Sequence, residues 1–565
     1  MSGEQLGIVV GGSLTKTLEV RLAAGQAAGL GEYLMVPLEG EAKLLGMVTD
    51  VLLRAAEPGA TSWPPAASGE TGGLLLEVLM DTAVYAALEV NPYLEIDEGQ
   101  EEPSRARRLP RHFAPAFRAD QRAIETAFGT RDRPSLSIGA PLGMDDIEVC
   151  VDFDRLFERS VGVFGKSGTG KTVLAFQLLD AMVAHSRTQS THADKTVALI
   201  FDMHNDYGKR MKFEAEGSRE RRSLKQNHPS DVAVYSLEKN AVDVESRIVI
   251  GTRDIDPEDL AVLQVTAEFT AAAIEAAHDC KDRFGRDWLD EILKQDPSPH
   301  VLSRTWPGED PPEEPSWAKV VNRMGIHGGS FQNLQRGLRK LRRREFVESG
   351  DAQFDGVIRH IIQTLRGGKS VVIQFGAHGN DLVSYMLVAN MLSRRIWEEY
   401  QRAVERASDG GGDAPNRLVI VIEEAHKFMD RTMREQSIFG QIARELRKYN
   451  VTLFVIDQRP SQIDPEVLSQ IGTKVCLQLD SDADIEALVG GMTGRAGLRA
   501  IIASLESKQQ ALAFGHALPM PVVVRPPTLD PNFRPGGSLR DRLNAVAPPE
   551  AAGRVTIFGR RSPVS

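Results

Sequence analysis

VGVFGKSGTGKTVLAFQLLDAMVA, residues 161–184, decides the fold of this chain. A short strand-like run, Val161 to Phe164, meets a glycine-rich turn, and the turn opens into a segment with helical periodicity. The turn is a complete G-x-x-x-x-G-K-[ST]: Gly165, Lys166, Ser167, Gly168, Thr169, Gly170, Lys171 and Thr172. Glycines there let backbone N–H groups converge on phosphates, and the start of the helix adds its partial positive charge. Lys171 is placed to reach the β- and γ-phosphates of ATP, and the Thr172 hydroxyl to ligate Mg²⁺. A glycine-rich loop that matches by accident would not need a strand before it and an amphipathic helix after it.

Outward from this loop, buried-strand runs alternate with helical stretches: 197–204, 370–375, 417–424, 452–457, 474–479 and 510–515. That alternation predicts an α/β domain on a parallel sheet. A phosphate-binding loop of this kind needs a second, acidic strand end. Leu418 to Ile422 supplies the strand, and Glu423 and Glu424 follow at its C-terminal edge, where α/β proteins bind ligands. Glu423 is expected to hold Mg²⁺ through water, and Glu424 to orient and deprotonate the attacking water. The alternative is a solvated strand-to-helix cap. Gln458, at the tip of the 452–457 strand, is the candidate γ-phosphate sensor, against a plain turn. Arg444 and Arg447 fit two readings: fingers that enter a neighbouring subunit's site, or a salt-bridged helix face.

The whole chain has 565 residues, enough for about three or four domains. Its formal charge is 67 − 78 = −11, so any DNA contact has to be a local basic feature. Cys150, Cys280 and Cys476 are far apart, which excludes a disulfide framework and a cysteine zinc site and suits a reducing cytoplasm. No apolar run approaches the ~18 residues of a membrane span. Residues 1–100 carry short apolar segments broken by Gly, Pro and Ser, the pattern of a small barrel or sandwich. Residues 101–133 read as a linker, 134–209 as the first part of the core, and 210–365 as a helical insertion. Residues 366–520 read as the second part of the core, and 521–565 as an extended arm.

Taken together these motifs resemble the HerA family of hexameric DNA translocases, within the HerA–FtsK group of RecA-like ATPases. The N-terminal β region, residues 1–100 with the stretch 31–51 within it, looks like that family's small HAS barrel. The segment Phe201-Asp-Met-His-Asn-Asp-Tyr207 resembles its D-x-H-G-E-Y, with Asn205 and Asp206 where Gly and Glu are usual. Glu423-Glu424-Ala425-His426 corresponds to its Asp-Glu-Ala-His, and Asp457-Gln458-Arg459-Pro460-Ser461 to its S-Q-R-P-S. Glu445-Leu446-Arg447-Lys448-Tyr449 resembles E-G-R-K-[FY], which puts the trans-acting arginine on Arg447. The resemblance implies a homohexameric ring with double-stranded DNA in its channel. It also implies a partner: a NurA-like nuclease in end processing, or a nuclease or sirtuin-like effector in anti-phage defence. A ring that binds nucleotide only to scaffold such an effector is the alternative function.

A basic run stands out on this acidic chain. Arg336, Arg339, Lys340 and Arg343 recur at three- and four-residue steps, as DNA contacts or as a solvated or inter-subunit helix face. Arg219, Arg221, Arg222 and Lys225 form a looser cluster open to the same two readings.

Overall fold

The computed structural model describes residues 3–56, 84–97, 100, 102–129, 135–208, 211–212, 220–264, 266–294, 321, 323–431, 437–445, 448–492, 494–507 and 509–526. The first strands are β1 (Gln5–Gly12), β2 (Leu18–Leu22), β3 (Tyr33–Pro37), β4 (Lys43–Ala55), β5 (Val84–Ile96), β6 (Ser104–Arg105) and β7 (Pro115–Arg118). They pair in the order β2-β1-β7-β3-β4-β5-β6, and β2 also pairs with β5, which closes a barrel. Alternation of side chains along these strands fills the interior with Leu6, Val9, Val20, Leu34, Val36, Leu44, Val48, Leu88 and Val90.

The stretch 101–133 is therefore more than a linker. It holds β6, the closing strand β7, whose Ala116 is buried, and the helix Gln121–Phe128 capped by Asp120. Charge hid this from the sequence, because the arginines before β7 face water and only four residues form the strand.

The second sheet takes β8 (Ser135–Pro141), β9 (Val149–Asp152), β10 (Ser160–Phe164) and β11 (Thr196–Asp202). A short antiparallel pair, β12 (Met211–Lys212) and β13 (Glu220–Arg221), stands apart from it. It continues with β14 (Val232–Ser236) and β15 (Ser246–Arg247), while β16 (Ile250–Gly251) and β17 (Val347–Glu348) pair only with each other. Then come β18 (Ser370–Gln374), β19 (Arg417–Glu423), β20 (Val451–Asp457), β21 (Ile471–Cys476), β22 (Ala511–Gly515) and β23 (Val522–Arg525). The order is β15-β14-β18-β11-β19-β20-β10-β21-β22-β23-β8-β9. From β15 to β21 every pairing is parallel; beyond β21 every pairing is antiparallel. β11 and β20 are buried at every residue, as strands covered on both faces must be.

Two sequence boundaries shift. The 210–365 stretch is not wholly helical, because the fully buried β14 lies in the main sheet beside β18. Its remainder supplies helices Ala271–Phe284, Trp288–Lys294, Gly328–Arg342 and most of Phe354–Arg366. The arm assigned to 521–565 begins with β23, a sheet strand, and residues 527–565 lie outside the described residues. Barrel and core meet at Tyr33, whose hydroxyl donates to the Pro521 carbonyl at 3.4 Å and accepts from the Val523 N–H at 3.2 Å.

Candidate active site

The sheet order explains why the motifs converge. β10 carries the glycine loop, β19 carries the acidic pair, and β20, ending just before Gln458, lies between them. All three run parallel, so their C-terminal ends open at one edge.

In the loop, Gly168 and Gly170 have φ of +78° and +98°, a region that side chains disfavour. The helix Lys171–Thr188 starts there without a side-chain cap, leaving its first N–H groups available to an anion. Thr169 Oγ1 donates to the Lys166 carbonyl at 2.8 Å, and Lys171 Nζ donates to the same carbonyl at 3.0 Å. Burial lowers the Lys171 pKa, and the opposing charges of Glu424, Asp457 and Glu423 partly offset that. Lys166 is turned away, paired with Asp480 at 2.9 Å.

Glu423 and Glu424 differ sharply. Glu423 is 3% exposed and held by its backbone: Tyr385 Oη donates to its carbonyl at 3.0 Å and accepts from its N–H at 3.2 Å. Its Oε1 accepts from Tyr207 Oη at 3.4 Å, whereas its Oε2 is buried with no hydrogen-bond partner. Burial, with Asp206 and Asp202 nearby, drives its carboxyl well above the ordinary range. Glu424 sits at φ +52°, an uncommon conformation that breaks the strand and turns its carboxylate to Gln458. Gln458 Nε2 lies 3.3 and 3.2 Å from the two Glu424 oxygens. Asp457, fully buried, locks the turn by accepting from the His426 N–H at 2.7 Å and contacting His426 Nδ1 at 3.0 Å.

The structure thus brings Lys171, Glu423, Glu424 and Gln458 to one edge. It adds Tyr385, which the sequence reading did not single out, and places the 201–207 segment beside the acidic pair. Tyr385 stands on the helix Leu382–Ser408, with no motif to mark it. His204 Nε2 lies 3.8 Å from Glu423 Oε2. Asp202, its pKa raised to about 6 by burial, accepts the N–H groups of Asp206, Tyr207 and Gly208 and so shapes the 203–208 turn. Asn205 occupies φ +61° in that turn, which explains why Asn can stand where Gly is usual.

The donors suit a hard divalent cation. Glu423 Oε2 is a buried, unpartnered carboxylate oxygen, and Thr172 follows Lys171 at the start of the helix. Among the described residues no group of three or more His, Cys, Asp or Glu is arranged to hold a metal. Mg²⁺ takes one or two protein carboxylates and completes its shell with water and phosphate.

The arginines are elsewhere. Arg444 is exposed near the end of the helix Ile438–Glu445, which leads to the N-terminal end of β20. Gln458 follows the other end of the seven-residue β20, about 20 Å away at ordinary strand rise. Arg444 lines a cavity of ≈ 580 Å³ with Arg159, Lys448, Tyr449, Ser469 and Gln470. Arg159, just before β10, joins this group unannounced by any motif, and its Nε is buried without a partner. Arg447 lies outside the described residues.

The basic helix divides. Arg336 and Arg343 are exposed, while Lys340 pairs with Glu268 at 3.3 Å and Arg339 has a partner of its own. Leu334, Leu338 and Leu341 bury the opposite face. In the looser cluster, Arg222 and Lys225 bond nearby carbonyls, and Arg219 lies outside the described residues.

The family model described as the central domain of helicase HerA matches residues 136–396, stopping short of the acidic pair. The DNA double-strand break repair helicase HerA of Pyrococcus furiosus is 30% identical over 136 residues, which is 24% of this chain and 24% of its own length. The probable HerA helicase of Methanocaldococcus jannaschii is 22% identical over 446 residues, covering 73% of this chain and 79% of its own. Among solved structures, VirB4 of Thermoanaerobacter pseudethanolicus is 14% identical, with 71% of this chain and 98% of that chain covered and a TM-score of 0.42. No helix among the described residues is long and apolar enough to cross a membrane.

Proposed function

We propose that this chain, whose residues 136–396 match the HerA central-domain model, is a HerA-type P-loop ATPase: a ring motor coupling ATP hydrolysis to movement along duplex DNA. One observation carries the reading: the acidic pair and phosphate loop occupy one edge of the sheet, and Arg159 and Arg444 the opposite one. A single chain cannot bring these edges together, so arginine action on ATP requires a second copy. A closed ring of identical subunits, six in the family this chain resembles, meets that need at every interface.

In this reading the loop N–H groups and Lys171 hold the phosphates. Glu424, oriented by Gln458, takes the proton of the attacking water. Tyr385, Tyr207 and Asp457 keep the acidic turn in place. Thr172 and Glu423 would hold Mg²⁺, which when bound neutralises charge on the β- and γ-phosphates. Arg447, Arg444 and Arg159 of the next subunit stabilise the transferring phosphoryl group. The basic stripe Arg336, Lys340 and Arg343 is the channel's candidate DNA contact, and the barrel the docking module for a nuclease or effector partner.

Steady-state ATP turnover with and without duplex DNA tests the proposal. Stimulation by duplex is expected of a motor. A turnover indifferent to DNA, with the ring intact, would sink the motor reading and favour a nucleotide-bound scaffold.

A further inference from the structure

We propose that the barrel carries a separate single-strand nucleic-acid site on the loop Arg105 to Phe113, outside the ATPase core. The segment reads RARRLPRHF. It is fastened at both ends, with the Ala106 N–H donating to the Tyr93 carbonyl at 3.0 Å and the Phe113 N–H to the Val9 carbonyl at 2.8 Å. Between these anchors Glu95 accepts the N–H groups of Arg107 and Arg108 at 2.6 and 2.7 Å and the Arg108 guanidinium at 2.9 and 2.7 Å. Burial pushes the Glu95 carboxyl up, but these donors outweigh it and hold the group below its ordinary range. The loop is thus a shaped ledge and not a slack connection.

What the ledge presents is unusual for an acidic protein. Phe113 is 65% exposed and Leu109 47%. Phe113 holds φ +64°, a conformation rare for a bulky residue, and the His112 ring meets it edge-on at 4.4 Å. Arg111 pairs with Glu39. Arg105 and Arg107 are exposed and have no acidic partner among the described residues. Uncompensated guanidinium groups and a bare aromatic ring therefore share one nine-residue loop on a chain of net charge −11.

The occupant follows from that pairing. Guanidinium groups take phosphates, and an exposed ring takes the flat face of an unstacked base. A duplex keeps its base faces inside the stack and has no use for the ring. An acidic peptide would satisfy the arginines and leave Phe113 and Leu109 in water. A single strand uses both.

Binding of a fluorescent twenty-residue oligothymidylate to the full-length chain without nucleotide, followed by anisotropy, is the test. Phe113→Leu keeps an apolar side chain but removes the ring, and is expected to weaken binding about tenfold, with Phe113→Trp restoring it. Arg105→Ala with Arg107→Ala is expected to lower the slope of log affinity against log salt by about 1.4, two phosphates on a single strand. Neither change should alter ATPase measured without DNA. Unchanged affinity in Phe113→Leu would overturn the proposal, as would an equal loss on duplex or polyglutamate binding as tight as the oligonucleotide. Failure of these exposed-residue variants to assemble would instead make the loop a subunit contact, and would overturn it too. Oligonucleotide binding through this loop by a chain that hydrolyses no ATP would break the motor reading alone.

Discussion

The two edges of the parallel sheet are chemical opposites. At the C-terminal edge Asp202, Asp206, Glu423, Glu424 and Asp457 crowd together, and Lys171 sits among their charges. At the N-terminal edge Arg159, Arg444 and Lys448 share a cavity with Glu445 as its one carboxylate. Phosphoryl transfer needs both kinds of group around one γ-phosphate. In the proposed ring, holding them a strand's length apart would make hydrolysis depend on assembly, each edge completing the site of a different subunit.

The sharpest way to break this comparison is to remove the arginine that the resemblance assigns to act in trans. Arg447→Ala should bind ATP and assemble, yet hydrolyse about 10³–10⁵-fold more slowly, the usual worth of a trans-acting arginine. Mixing it with Lys171→Ala, inactive by itself, creates interfaces where an intact phosphate loop faces an intact Arg447. Turnover should partly recover after subunit exchange. No recovery, with co-assembly demonstrated by sedimentation, would move the role to Arg444 or Arg159, which the same mixing experiment ranks next.

At the acidic edge the expected loss is about 10²–10⁴, the worth of a general base. Glu424→Gln should retain nucleotide and fail to hydrolyse it, because an amide cannot accept the water's proton. Near wild-type turnover would reassign the base to Glu423. That second possibility is disfavoured by burial: Glu423 is 3% exposed with its Oε1 accepting from Tyr207, whereas Glu424 faces Gln458.

How legible each edge was in the sequence follows from the same chemistry. The acidic edge is built from residues at strand ends, so glycine spacing and paired carboxylates announced it directly: Lys171, Glu424 and Gln458 stand together as read. Tyr385 escaped, because a tyrosine in a helix that packs behind a strand has no local signature. Arg159 escaped for a different reason. It lies twelve positions before Lys171 at the far end of the same strand, and nothing in a linear motif says which edge a strand's first residue faces. The barrel's closure was hidden because β7 is four residues long and follows a charged, proline-containing stretch. β14 was hidden by its polar surroundings.

A subtler break separates the two ends of one residue's influence. The His426 N–H and Nδ1 tie buried Asp457 to the turn that follows Glu424. His426→Ala keeps the backbone bond and loses the ring contact, so roughly a tenfold fall in turnover is expected, about what 1.4 kcal/mol of lost positioning gives. ATP affinity, measured by a fluorescent analogue, should hardly change. A collapse of affinity would mean that the turn shapes the nucleotide pocket itself.

The smallest effect should come from a residue at neither edge. Tyr33 joins barrel to core through its hydroxyl, which accepts from the Val523 N–H and donates to the Pro521 carbonyl. The ring is 1% exposed, and burial carries the phenol far above its ordinary pKa, so it remains a neutral hydrogen-bonding group throughout the useful pH range. Tyr33→Phe keeps the packing and strands the Val523 N–H, a loss of about 1–3 kcal/mol at the joint. Because barrel and core need not unfold together, the readout is the protease sensitivity of the joint and not a single melting point. Faster cleavage at unchanged ATPase is expected. If turnover fell as steeply as in Glu424→Gln, the barrel would be part of the catalytic apparatus, and the division of labour between the sheet's edges would have to include it.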